Sequence, residues 1–146
     1  MSETRADTEP AIRLTDIHKS FGRLVVLDGV NLELRRGQTT VIIGPSGTGK
    51  SVLLKHISGL IRPDRGEVYF EDQRIDHLNK AQLVAVRRRM GILFQMGALF
   101  DSMTVKQNVT FPLREHTEMT HREQTERCDA VLRQVGLTGT EDSMPS

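Results

Sequence analysis

The chain has 146 residues, the length of one ordinary domain, with 37% apolar and 27% charged residues and a formal net charge of +1. Near-neutral charge and few aromatic residues supply neither attraction for a phosphodiester backbone nor a base-stacking platform, which argues against a nucleic-acid partner. One cysteine, Cys128, excludes an internal disulfide and fits a reducing compartment, and no stretch approaches the roughly 18 uninterrupted apolar residues of a membrane span.

Residues Met1 to Pro10 lack the apolar run of a secretory signal, so residues 1–11 read as a disordered tail and a cytosolic location is expected. From Ile12 to Leu34 the pattern is strand-like. Alternation is clean in Val30-Asn31-Leu32-Glu33-Leu34, and Gly22, Asp28-Gly29 and Arg36-Gly37 are expected turns, giving an antiparallel patch. Thr39-Thr40-Val41-Ile42-Ile43 is β-branched and apolar on both faces, as a central parallel strand would be.

Gly44-Pro45-Ser46-Gly47-Thr48-Gly49-Lys50-Ser51 then fits the phosphate-loop pattern G-x-x-x-x-G-K-[ST] without a mismatch. The glycines let the backbone curl so that successive N–H groups of Ser46, Gly47, Thr48 and Gly49 face phosphate oxygens, and the positive end of the following helix adds attraction. Lys50 would reach the outer phosphates and the Ser51 hydroxyl would hold Mg²⁺. A bare glycine-rich turn would not require Lys and Ser in this order after the glycine.

The helix opened by this loop is expected from about Gly49 to Leu60, burying Leu53, Leu54, Ile57 and Leu60. Glu67-Val68-Tyr69-Phe70 reads as a strand, with Ile75 beginning its partner. Asn79 caps a helix through about Arg88, with Leu83, Val84 and Val86 available for packing. Met90 to Phe94 reads as a second buried strand. Thr104 caps a short helix over Val105 to Val109, which Pro112 ends. Thr120 and Glu123 form a capping box for a helix presenting Cys128, Val131, Leu132 and Val135 on one face and stopping at Gly136.

Other polar residues carry less. Gln95 ends the second buried strand, where an amide oxygen could meet Mg²⁺ or an attacking water. Phe21 could stack on a flat base, or be a core residue, which is the commoner fate of a phenylalanine. Arg87-Arg88-Arg89 reads as a solvated helix end. The five histidines show no metal-ligand spacing, and Glu71-Asp72 ends too short an apolar run to be a catalytic acidic pair.

Phe21-Gly22, the antiparallel lead-in, Gly44 to Ser51 and Phe94-Gln95 together resemble the nucleotide-binding domain of ATP-binding cassette (ABC) transporters. The resemblance implies an α/β, P-loop NTPase fold of ABC type, with an antiparallel β-subdomain and a partial parallel sheet with helices. It implies ATP and Mg²⁺ as cofactors and an energy-coupling ATPase subunit, paired with a second copy of the domain and with a transmembrane permease. Phe21 matches the adenine-stacking position, Val26 is implied to flank the base, and Gly44 with Ser46 to Lys50 matches the phosphate cradle. Ser51 and Gln95 match the Mg²⁺ ligand and the Q-loop glutamine.

A narrower resemblance lies in Leu93 to Val105 with Asn108-Val109 and Phe111 to Thr117. These residues are similar to the ATPase subunits of maintenance-of-lipid-asymmetry (Mla) transporters, which work with MCE-type lipid-binding proteins. It implies phospholipid as cargo and a peripheral place on the cytoplasmic face of the inner membrane. The family's signature motif, acidic strand and switch histidine do not occur in these residues. Residues 12–146 are therefore expected to be the N-terminal part of such a domain, binding nucleotide without hydrolysing it on their own.

Overall fold

A computed structural model describes residues 10–94 and 97–145, and the structural statements below concern these residues. The chain divides into two compact units, Met1–Ile92 and Leu93–Ser146.

The first unit is built on a four-stranded antiparallel sheet in the order β2-β1-β3-β4. Its strands are β1 (Pro10–Phe21), β2 (Leu24–Arg35), β3 (Arg65–Phe70) and β4 (Gln73–Arg74). The expected antiparallel patch is therefore present, with Gly22 turning β1 into β2. Asp28-Gly29, expected as a turn, lies inside β2 instead.

Leu14 and Ile17 are three residues apart, so simple alternation would send them to opposite faces of the sheet. Both are buried, at 1% and 0% exposure. The register shifts between them, and Asp16 adopts φ 50°, a bulge that adds one residue and returns Ile17 to the core face. Asn31 Oδ1 accepts the Asp16 N–H at 2.9 Å. Opposite the bulge Gly66 has φ 100°, and a Cβ there would stand 2.3 Å from the Asp16 carbonyl oxygen, so no other residue fits without displacing β1.

Two helices cover the sheet residues of the core. Helix α1 (Lys50–Ile57) buries Leu53, His56 and Ile57, and α2 (Lys80–Arg87) buries Leu83 and Val86. They join Leu14, Ile17, Leu27, Val68, Phe70, Ile75 and Leu78 in one cluster. Each fully buried leucine or isoleucine contributes about 1.5–3 kcal/mol over its exposed state. Leu54 and Leu60, expected inside, are 56% and 44% exposed. The helix is shorter than its apolar pattern, because Gly59 at φ 63° leaves the helical region and Leu60 belongs to the turn. Val84 is likewise outside, one position off the buried face of α2.

Thr39 to Ile43 and Met90 to Phe94 are not strands. Among the described residues no chain pairs with either, and Val41, Ile43 and Leu93 are 73%, 86% and 90% exposed. Their β-branched or apolar composition suits a sheet interior, but a ladder requires hydrogen-bonding neighbours.

The second unit packs α3 (Val105–His116) with α4 (His121–Gln134), burying Cys128 and Leu132 of α4. Both helices start with reciprocal capping boxes, Thr104 with Gln107 and Thr120 with Glu123. Pro112 does not end α3 as expected. It sits within the helix, where it withholds one donor from Asn108, and the helix runs on to His116, closed by Thr117 N–H to Leu113 O at 2.9 Å. Val135, expected on the buried face of α4, is 63% exposed because it is the C-cap, already off the helical path.

Candidate functional site: the loop before helix α1

Three of the four helices bond their first-turn N–H groups to their own side chains through Asn79, Thr104 and Thr120. Helix α1 does not. Its N-cap is Gly49 in a left-handed conformation at φ 90°, with no side-chain cap. The N–H groups at this end are thereby left for an external acceptor, and the helix dipole makes an anion the favoured one.

Gly49 also fixes how close the loop comes to the sheet. A Cβ at Gly49 would lie 3.0 Å from Val26 Cγ1 and 3.1 Å from Leu27 Cδ2, so β2 abuts the start of α1. Val26, expected at the base, is half-buried and forms this abutment. The loop closes on itself upstream: Thr48 Oγ1 donates to Pro45 O at 2.9 Å, and Lys50 Nζ donates to Gly44 O at 2.8 Å and Pro45 O at 2.6 Å. The ammonium therefore lies over the loop's own main chain, inside the ring of residues 44–50. A cleft of about 370 Å³ beside the loop is walled by Leu27, Val30, Ile42, Thr48, Lys50 and Leu53. Ser46 and Gly47 are exposed at the crest, and Ser51 is exposed in the first turn of α1.

Mg²⁺ fits this donor set only in company. Among the described residues no group of three or more His, Cys, Asp or Glu could hold a metal. The loop offers no carboxylate, only the hydroxyls of Ser46, Thr48 and Ser51, of which that of Thr48 already bonds Pro45 O, so a hard cation on Ser51 would take its remaining oxygens from phosphates and water.

The site is anchored at both ends. The C-terminal carbonyls of Ser58 and Gly59, just past α1, accept from Arg87 Nε at 3.1 Å and Arg87 Nη2 at 2.6 Å. Arg87, read from sequence as part of a solvated helix end, is thus a tie between helices. Arg89 of the same run pairs with Glu71, which also holds Arg36, and stacks over Phe70 at 5.0 Å. The two guanidiniums hold the Glu71 carboxyl below the ordinary carboxylate range. Glu71 is therefore occupied structurally, in keeping with its rejection as a catalytic acid.

His56 was not singled out by sequence. It is 1% exposed, its Nδ1 lies 2.8 Å from Val52 O, and its Nε2 has no hydrogen-bond partner among the described residues. Burial pushes its pKa down, so the imidazole is held neutral. Phe21 is 51% exposed at the end of β1, with Lys19 Nζ over its ring at 5.6 Å from the centroid. Gln95 lies outside the described residues.

A family model described as ABC transporter matches residues 27–146. The "Intermembrane phospholipid transport system ATP-binding protein MlaF" of Haemophilus influenzae is 44% identical over 125 residues, covering 86% of this chain and 47% of the relative. The "Probable ribonucleotide transport ATP-binding protein mkl" of Mycobacterium leprae is 42% identical over 135 residues, covering 92% of this chain and 39% of the relative. A dimeric ATP-binding cassette solved in a post-hydrolysis state with ADP and Pi superposes with a TM-score of 0.81 at 30% identity, covering 92% of this chain and 61% of that one. The chain thus spans half or less of the length of these curated relatives. No helix among the described residues is long and apolar enough to cross a membrane.

Proposed function

We propose a function from one premise: the chain belongs to the ABC transporter family. Its fold is the α/β, P-loop fold of the ATP-binding cassettes. The proposed role is to bind Mg-ATP on the loop Gly44 to Ser51 and to serve as the energy-coupling ATPase subunit of a transporter. The observation that carries this reading is the uncapped N-terminus of α1 beside Lys50, in a chain that caps its other helices with side chains.

Within that role Ser51 supplies the Mg²⁺ hydroxyl, Gln95 an amide oxygen near the metal or attacking water, and Phe21 the face for adenine, with Val26 behind the loop. The partners are a second copy of the domain, a membrane permease and an MCE-type lipid-binding protein. The place is the cytoplasmic face of the inner membrane. Phospholipid is the proposed cargo, supported by the printed name of the Haemophilus relative. The name of the Mycobacterium relative supports a second reading, in which the same ATPase serves another cargo.

Titration calorimetry of the intact polypeptide with Mg-ATP tests the first step. Binding that is lost in Lys50→Ala supports it, and no heat from the wild type overturns it. Movement of labelled phospholipid between vesicles by the assembled transporter, dependent on ATP, then separates the two cargo readings.

A further inference from the structure

Helix α1 has eight residues, so it is a rod about 12 Å long with the phosphate loop at one end. Its loop end rests on β2 at Gly49 and Val26. Its other end packs on the sheet through Ile57 and is tied to α2 and the residues leading into it. A Cβ on Gly59 would lie 2.9 Å from Leu83 Cδ2, so the turn that ends α1 is pressed against α2. Arg62 Nη2 donates to Leu78 O, and Arg87 forks onto Ser58 O and Gly59 O. Ser58 itself is 5% exposed, and its hydroxyl is spent on Leu54 O and Lys55 O within the helix.

We propose that Arg87 is a positioning residue for the phosphate-binding loop, acting through α1. The claim rests on the nucleotide-binding reading above and deepens it. Two donors in the fixed plane of one guanidinium set the direction as well as the distance of the α1 terminus. A pivot of about 5° at that terminus would carry the far end of a 12 Å rod through about 1 Å. Displacements of that size in a preorganised site cost up to about a hundredfold in function. The positive charge also lies at the helix C-terminus, where it opposes the negative end of the dipole and supports the same alignment. The apolar packing of Leu53 and Ile57 in the core and of Gly59 on Leu83 holds the rod down but has no direction of its own.

The test compares R87M and R87K with the wild-type intact polypeptide, measuring Mg-ATP affinity by calorimetry at a temperature where circular dichroism shows each protein folded. The expected result is a Kd raised roughly tenfold in R87M. R87K, which keeps the charge but has a single ammonium in place of the fork, should fall between the two. A merely structural role would lower the melting temperature of R87M and leave its Kd at the wild-type value, and that outcome overturns the proposal. If R87M fails to fold, R87K decides. A Kd raised about fivefold, the worth of one hydrogen bond, supports the role, and an unchanged Kd overturns it. A wild type that binds no Mg-ATP overturns the functional reading and this role together.

Discussion

Gly49 and Val26 meet so closely that a methyl group on the glycine would stand 3.0 Å from both the Cγ1 and the carbonyl oxygen of the valine. The second of these contacts is with main chain and cannot be relieved by a rotamer change. Gly49→Ala meets the additional penalty of φ 90°. The expected outcome is a loss of about 1–3 kcal/mol of stability together with weakened nucleotide binding. Thermal unfolding and calorimetry on one sample check both, and an alanine variant that melts and binds like the wild type would refute the close approach.

Lys50 contributes no hydrogen bond to the sheet or to the hydrophobic cluster, only to the carbonyls of Gly44 and Pro45. Lys50→Met should therefore keep the melting temperature while weakening Mg-ATP binding about ten- to a hundredfold, the worth of a charge-assisted contact. Displacement of a fluorescent nucleotide measures it. Equal affinities in variant and wild type would remove the lysine from the site.

The exposed ring of Phe21 gives the proposed base-stacking role a clean variant. Phe21→Ala should cost about 1 kcal/mol of nucleotide affinity, roughly fivefold, whereas Phe21→Tyr should keep it. Inorganic triphosphate provides the control, since its affinity should not change. An equal loss for triphosphate and ATP would mean that the ring supports the hairpin rather than the base.

His56 sets a pH limit on the first unit. Its folded pKa lies below the ordinary histidine value of 6.5 because burial disfavours the imidazolium, with Lys19 adding to the effect and Asp64 opposing it. The unfolded chain therefore binds the proton more readily than the folded one. The stability at stake is fully present above about pH 6.5 and is lost as the pH falls through and below that value. His56→Leu removes an unpaired buried nitrogen and should raise stability by about 1 kcal/mol while flattening the acid limb. Urea unfolding at pH 7.5 and 5.5 reads both effects, and parallel pH profiles for variant and wild type would contradict this account.

Features governed by neighbouring residues in sequence were legible. Asn79, Thr104 and Thr120 cap helices where a cap is expected, because each box closes within three residues. The backbone of the loop from Gly44 to Ser51 was legible for the same reason, since its positive-φ glycines set a local path. Features requiring a second segment were not. Thr39 to Ile43 has strand composition, but pairing is a property of a neighbour. Arg87 looked like surface charge because its acceptors, Ser58 and Gly59, lie far away in sequence. Pro112 obeyed a weaker constraint than expected, since a helix can lose one bond and continue. The bulge at Asp16 left one trace in the sequence, the odd spacing of Leu14 and Ile17, which is informative only once both are known to be buried.

Cys128 is fully enclosed, and burial raises the pKa of its thiol, so the reactive thiolate is scarce as well as hidden. It is also the only sulfhydryl in the sequence. A maleimide or disulfide reagent can capture it only when α4 breathes away from its packing. These residues thus carry their own gauge of that opening, readable by mass spectrometry of the Cys128 peptide without engineered labels, and any ligand or partner that tightens this helix pair would register as slower capture.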